Sequence, residues 1–539
     1  MKGIHKRAWL LAIISGLLQV LIFPRPNLYW LCWIALAPLM YALLRAREAD
    51  ATELLTDETY SFLVPARVWQ GFLLGWASGT VFYFGTCYWV YSVMHSYGGL
   101  SPVISALLLA LFSLYIGLHH GIFGALMALA GKSRASYSRK ALVLAPFLWV
   151  AVELLRAYVV SFPWALLGTA QIDNLPLARM ASVTGVYGVS FEIALVNTVF
   201  AATMLVRRKR RMPLLVAALS GAIALQTTAL VKVEASEVEA HATLVQQNVP
   251  IERRWTYGGY KRLMDELSAV SRSPQAAKDP SIAPLIVWPE SPAPFETDDR
   301  LFTESTAALA REQRSWLLAG VTAVQPAAKP GEAEQVFNSA LLLSPAGAVA
   351  QRYDKVHLVP WGEYIPFAWA FGFAKSLTHE VGTYTASGAE RTPLEVGSHR
   401  YGVFICYESV FPHEVRQFAE HGAEVLVNIS NDGWFGESGA PWQHLNMARM
   451  RAVENHRWLL RCTNTGISAA IDPMGRVVAL APRNQRVALD APYGLMSNMT
   501  FYTRYGDWFP VLCAIISITG LLWRDPNCAH MTRPVPVEE

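Results

Sequence analysis

Apolar runs long enough to cross a bilayer constrain this chain more than any other feature. A helix needs about 20 apolar residues to span a hydrocarbon core, with roughly 17 to 25 tolerated. Candidate spans fall at 8–23, 28–44, 70–94, 102–130, 141–158, 181–206, 213–231 and 508–524, eight in all. Composition agrees, since 53% of the 539 residues are hydrophobic and 18 are tryptophan, too much apolar matter for an ordinary soluble chain. The first span carries Gln19 and runs into "FPRPN" with no small-residue cleavage pattern, so it reads as a retained helix and not as a signal peptide. A net charge of +4, with the basic residues confined to short loops, leaves no basic stripe for nucleic acid.

Those short basic loops set the orientation. "MKGIHKR", Arg45 and Arg47, "GKSRASYSRK" and "RRKRRM" all fall on one side of the eight-span layout, which the positive-inside rule makes cytoplasmic. The long segment from about 232 to 507 then lies on the opposite side, the periplasm in a Gram-negative cell. The expected organisation is a membrane domain at 1–231 with seven transmembrane helices, an outer domain at 232–507, and an eighth helix with a cytoplasmic tail at 508–539.

The outer segment alternates strand-like and helix-like stretches, the signature of an α/β domain. Strands are expected at "HATLVQQNV", "PLIVWP", "SWLLAGVTA", "FNSALLLS", "YGVFIC", "AEVLVNIS" and "GISAAI", and helices at 257–272, 411–420 and 441–459. "SPAG" and "DPMG" put proline second and glycine fourth between apolar runs, as type I turns prefer, and predict hairpins. The polar stretch 323–335 reads as an exposed connector.

Three stretches of this domain carry candidate chemistry. "YGVFICYESVFP" ends a buried strand in Cys406, which either fills a core or attacks a substrate. A cysteine nucleophile needs a base and a group to hold an oxyanion. The histidines at 241, 357, 413, 421, 444 and 456 have no placement that singles one out as that base. A carboxylate base is the other option, and "LIVWPESPAPF" offers Glu290 just past an apolar strand, flanked by Pro289 and Pro292. "RYDKVHLVPWGEYIPF" places Lys355 after a hairpin strand and adds Glu363. A solvated loop glutamate and a surface lysine are the competing readings. Against them, open α/β layers gather their sites at strand ends, where these residues fall.

Other features read as structural. Glu153 and Arg156 have the spacing of an intrahelical pair and are assigned to orienting the "FPW" loop. His119 and His120 face the helix bundle, with no carboxylate or cysteine at ligand spacing beside them. Cys406 and Cys462 are the outer domain's two cysteines, and an exported pair of this kind can become a disulfide. No zinc spacing and no cofactor motif is visible.

Glu290, Lys355 and Cys406 in these contexts resemble the Glu-Lys-Cys triad of the nitrilase, or carbon–nitrogen hydrolase, superfamily. The eight spans, "VWPESPAPF", "KVHLVPWGEYIPF", "CYESVFP", "NISNDGWFG", the stretch from "QHLNMARMRAVENHRWLL" to "DPMG", and "FLWVAVELLRAYVVSFPWALLGTAQID" together are similar to the apolipoprotein N-acyltransferases. The resemblance implies an αββα sandwich for the outer domain of a protein in the bacterial inner membrane, with that domain on the periplasmic side. It implies acyl transfer from a phospholipid, phosphatidylethanolamine above all, through a thioester on Cys406. The acceptor would be the free α-amine of a diacylglyceryl-modified cysteine at an apolipoprotein's N-terminus. Supporting roles fall to Glu363, Tyr407 and Glu408, and a substrate-gating role to Trp255. No metal or cofactor is needed for an acyl group already activated as an ester, and a monomer is expected. A membrane-anchored carbon–nitrogen hydrolase and a catalytically inactive lipid-binding or transport protein are the alternative readings.

Overall fold

The computed structural model describes residues 3–49, 63–131, 137–205, 211–216, 219–221, 237–251, 255–272, 281–291, 293–326, 334–364, 384–388 and 390–523. Among them, three helices are long and apolar enough to cross a membrane: Pro102–Ala130, Arg139–Val160 and Val186–Leu205. Shorter apolar helices cover Tyr29–Leu44, Arg211–Gly221 and Trp508–Leu522. Helices Lys6–Leu21 and Val68–Thr86 occupy the expected spans at 8–23 and 70–94. Most of the expected seventh span at 213–231 lies outside the described residues, as do the basic clusters at 132–136 and 207–210, part of the 323–335 connector and the tail 524–539.

Sequence explains how these helices pack and where they break. Gly71, Gly75 and Gly79 form a small-residue face on Val68–Thr86 that meets Gly117, Gly121 and Gly124 of Pro102–Ala130. A Cβ at position 75 would lie 2.0 Å from the carbonyl oxygen of His120, so the two backbones approach as only glycine allows. The expected 181–206 span is interrupted at Gly185, whose φ of +66° ends one short helix, and the Glu454 carboxylate accepts from the Val186 N–H 2.9 Å away to start the next. His119 and His120 are buried in the bundle, the latter 3.0 Å from Gln19 Oε1. No group of three or more potential metal ligands exists among the described residues.

A small antiparallel pair, β1 (Arg47–Glu48) and β2 (Leu63–Val64), precedes the outer domain. That domain holds two six-stranded sheets. The first contains β3 (Ala240–Gln246), β4 (Leu285–Val287), β5 (Trp316–Gln325), β6 (Gln335–Leu343), β7 (Val349–Asp354) and β14 (Val487–Tyr493), in the order β14-β3-β4-β5-β6-β7. The second contains β8 (Leu394–Val396), β9 (His399–Ile405), β10 (Val425–Ser430), β11 (Trp458–Thr463), β12 (Ala469–Ile471) and β13 (Val477–Leu480), in the order β13-β12-β11-β10-β9-β8. Strands β3, β4 and β5 run parallel, as do β9, β10 and β11. Inner-face residues of both sheets, including Leu244, Val287, Leu342, Val403, Val427 and Leu460, form one buried cluster. Helices Tyr257–Ser271 and Arg300–Gln313 cover the first sheet through a second cluster with Leu263, Phe302 and Leu309. Helices Pro412–Glu420 and Ala440–Asn455 pack against the second sheet. The result is an αββα sandwich.

Both predicted hairpins form, between β6 and β7 and between β12 and β13, with Gly347 at φ +75° and Gly475 at φ +80° supplying the left-handed turn position. Helix Arg300–Gln313 and strands β8 and β14 have no counterpart in the sequence expectation, and one expected element differs in extent. The helix expected over 441–459 stops at Asn455, where His456 adopts a left-handed conformation, and Trp458 already opens β11. The apolar run "WLL" fits a fully buried strand as well as a helix, and a periodicity argument does not separate the two.

The outer domain rests on the membrane helices through specific polar contacts. Trp164 Nε1 donates to Gln443 Oε1 at 2.8 Å, and Gln443 Nε2 donates to the carbonyls of Pro24 and Thr86. Tyr97 donates to the Gly433 carbonyl, and Arg449 pairs with Asp173 at 2.7 Å. Arg156 Nη1 donates to the carbonyls of Phe162 and Trp164, and Glu153 Oε1 accepts from Leu167 N–H, so both charges grip the backbone of the "FPW" loop.

Candidate active site

Strand ends deliver the site. Glu290 follows β4, Lys355 follows β7, Cys406 follows β9 and Asn431 follows β10, so the parallel strands of both sheets point their C-terminal ends at one place. Glu290 Oε1 lies 3.6 Å from Lys355 Nζ, and Lys355 Nζ donates to Glu363 Oε1 at 2.9 Å. Asn338, in the middle of β6, joins the two carboxylates by donating from Nδ2 to Glu290 Oε1 at 2.7 Å and to Glu363 Oε1 at 2.8 Å. Glu290 Oε2 accepts from the backbone N–H of Asn431 at 2.7 Å, and Glu363 Oε2 accepts from that of Val359 at 2.7 Å. Every carboxylate oxygen in the cluster therefore has a donor, as buried charges require.

Lys355 is 1% exposed. Burial works against its charge, yet the carboxylates of Glu363 and Glu290, with Cys406, hold the ammonium above its ordinary range. Burial and the Glu290 carboxylate push the Cys406 thiol well above its usual value, and Lys355 opposes them. Attack by such a sulfur calls for a neighbouring base.

Cys406 has a φ of +50°, the left-handed region a β-carbon disfavours by about 1 kcal/mol or more. The chain turns there from β9 into the short 3₁₀ helix Cys406–Val410. Glu408 fixes this elbow: its Oε2 accepts from Ile405 N–H at 2.7 Å, and its Oε1 accepts from Val356 N–H, His357 N–H and the Tyr353 hydroxyl at 2.8, 3.1 and 2.9 Å. One carboxylate thereby ties the cysteine segment to the backbone immediately after Lys355. Glu408→Gln replaces an acceptor with an amide nitrogen facing these donors, and is expected to cost about 1 to 3 kcal/mol. A lowered melting temperature together with slower acyl transfer is the predicted result, and an unchanged value of both contradicts it. Tyr407 points the other way, its hydroxyl donating to the Ser161 carbonyl of the membrane domain at 2.8 Å.

The structure brings Glu290, Lys355, Glu363 and the Cys406–Glu408 elbow together. Trp255 packs edge-on to Tyr260, against the cluster that includes Trp288 and Phe295. Cys406 and Cys462 are both free thiols. Ile405 and Cys462 flank Ile429 in register, which puts two strand spacings, about 9 to 10 Å, between them. A disulfide needs its Cα atoms within about 7 Å, so the disulfide reading is withdrawn.

Two contributors escaped the sequence reading. Asn338 was hidden inside an ordinary strand pattern, although a lone amide among apolar residues at a strand centre needs partners. Gly320, in the middle of β5, lets the Glu290 segment cross closely: a Cβ there would lie 2.3 Å from the Pro289 carbonyl oxygen and 2.7 Å from the Glu290 Cα. A glycine inside a β-branched run signals such an approach. Gly320→Ala is expected to displace Glu290 and slow turnover by about 100-fold. Full activity in that variant contradicts this placement.

Comparison with known proteins adds the lineage. The carbon-nitrogen hydrolase family model matches residues 241–491, and the model for the apolipoprotein N-acyltransferase N-terminal domain matches residues 15–199. An apolipoprotein N-acyltransferase of Geobacter metallireducens is 36% identical over 98% of this chain and 98% of its own. The chain belongs to the apolipoprotein N-acyltransferase family. It is thereby an enzyme of the acyltransferase class, with a carbon–nitrogen hydrolase domain. The apolipoprotein N-acyltransferase of Methylococcus capsulatus is 34% identical over 83% of this chain and 86% of its own. A carbon-nitrogen hydrolase structure from Helicobacter pylori aligns with 47% of this chain and 88% of that one, at 18% identity and a TM-score of 0.33, too loosely to add to the sheet topology.

Proposed function

We propose that this chain moves an acyl chain from a phospholipid, phosphatidylethanolamine above all, to the N-terminal diacylglyceryl-cysteine of apolipoproteins by way of Cys406. In the first half-reaction the Cys406 sulfur attacks the ester carbonyl while Glu290 takes the thiol proton. Lys355 Nζ stabilises the oxyanion. Collapse of the tetrahedral intermediate breaks the ester C–O bond, and Glu290 returns its proton to the leaving lysophospholipid. In the second half-reaction the neutral α-amine of the acceptor attacks the thioester carbonyl and gives a proton to Glu290. The C–S bond breaks, the thiolate recovers that proton, and an amide remains. Glu363 fixes Lys355, and Glu408 fixes the elbow.

The observation that carries this reading is the seam between the nucleophile and the membrane helices. The Tyr407 hydroxyl, one residue after Cys406, donates to the Ser161 carbonyl just before the "FPW" loop, which supports a donor that approaches from the side of the apolar helices. Supporting this, the left-handed cysteine beside a buried lysine and two carboxylates is costly to maintain without chemistry to perform, which weighs against an inactive lipid binder. The proposed setting is a monomer in the bacterial inner membrane with eight spans divided as 1–231 and 508–539, and the 232–507 domain on the periplasmic side. Trp255 is assigned to gating substrate entry. The test is a lipopeptide acceptor offered with and without a free N-terminus. Mass gain of one acyl chain on the free form alone supports the transfer. Equal release of fatty acid to water with either form would instead favour the hydrolase.

A further inference from the structure

His444 is fully buried in the first turns of the Ala440–Asn455 helix, and the chemistry above does not use it. Its Nε2 lies 3.0 Å from the carbonyl oxygen of Cys406 and 2.7 Å from Ser409 Oγ. Its Nδ1 lies 2.9 Å from Asp432 Oδ1 and 3.0 Å from Arg461 Nη2. Arg461 Nη2 also donates to Asp432 Oδ2 at 2.7 Å, and Ser430 Oγ to Asp432 Oδ1 at 2.8 Å. With the proton on Nε2, Nδ1 accepts from the Arg461 N–H; with the proton on Nδ1, it donates to the Asp432 carboxylate. A carbonyl only accepts, so the 3.0 Å contact with Cys406 is a hydrogen bond in the Nε2–H form, the form that a hold on this carbonyl requires. Trp164 of the membrane domain stacks on the imidazole, with ring centroids 5.7 Å apart and planes at 26°. The adjacent Gln443 is clamped by Trp164 and by two membrane-helix carbonyls.

We propose that His444 is a positioning residue that holds the Cys406 carbonyl, and with it the direction of the sulfur, with Trp164 bracing its ring from the membrane side. The inference rests on Cys406 being the nucleophile. A strained φ persists only when its surroundings over-determine it. Glu408 fixes the elbow through Ile405 N–H, on the strand side, and His444 fixes it through the Cys406 carbonyl, on the helix side. Without the second hold the sulfur is free to swing from the line between Glu290 and the ester carbonyl, and an error of about 1 Å costs about 100-fold in rate.

The experiment compares His444→Gln, which keeps a side-chain N–H within reach of the carbonyl, with His444→Met, which fills similar volume without a donor. The purified full chain in detergent is mixed with acyl-labelled phosphatidylethanolamine, and single-turnover formation of a hydroxylamine-sensitive label is followed. The glutamine variant is expected within about tenfold of wild type and the methionine variant about 100-fold slower at saturating donor. The donor concentration for half-saturation and the melting temperature should stay near wild type in both. Equal rates in the two variants, a loss that appears only in half-saturation, or a methionine variant that fails to fold would each overturn the proposal, the last by making His444 a stability residue. A wild-type chain that takes no label fails earlier, at the nucleophile itself.

Discussion

Cys406→Ala is expected to abolish both the thioester and all acyl transfer, a loss of at least about 10⁴-fold, because no other group can form the intermediate. Cys462→Ala supplies the contrast. That thiol is buried between the sheets, donating to the carbonyls of Val287 and Val245, and lies two strands from the elbow. Its removal should cost about 1 to 2 kcal/mol of stability and leave the transfer rate within a few-fold of wild type. Rates for both variants in one assay, with folding checked by thermal melting, decide the matter. Transfer by the alanine variant at position 406 would remove the covalent path.

Lys355→Met is expected to be nearly as damaging and for two reasons. It removes the cation proposed to hold the oxyanion, worth about 10² to 10³-fold. It also leaves Glu290 and Glu363, joined by Asn338, as two buried carboxylates without a counter-charge. Breaking a buried ion cluster from one side costs about 3 to 5 kcal/mol. Lys355→Arg is not a rescue, since the planar guanidinium does not fit a site shaped for a point charge. A methionine variant that melts like wild type and acylates within tenfold would contradict the assigned role.

The sequence made the site legible where chemistry and punctuation coincide. Glu290 stands between prolines after an apolar strand, Lys355 follows a hairpin whose turn is written in "SPAG", and Cys406 ends a strand. The α/β character followed from alternating periodicities and the αββα sandwich from the family resemblance, and the seven expected strands lie within a few residues of observed ones. What stayed hidden depends on contacts across the fold. Asn338 bridges carboxylates that are 48 and 25 residues away in the chain, and Gly320 clears space for a segment on another strand. His444 was one histidine among several, because nothing local announces that its ring meets the Cys406 carbonyl 38 residues upstream. The left-handed φ of Cys406 has no signature in "FICYES" either, since only the closed structure pays for it. In the helical part, three of the expected spans correspond to described helices long and apolar enough to cross a membrane, whereas the Gly185 break coincides with a cap from the distant Glu454.

The central claim is that Cys406 carries the acyl chain, and the most direct measurement isolates the first half-reaction. The purified protein is incubated in detergent with acyl-labelled phosphatidylethanolamine and no acceptor, and the hydroxylamine-sensitive label is located by peptide mass. The account predicts one acyl group on the peptide containing Cys406, with lysophospholipid released in equal amount. A demonstrably folded protein that leaves that peptide unmodified across a range of phospholipids would contradict it.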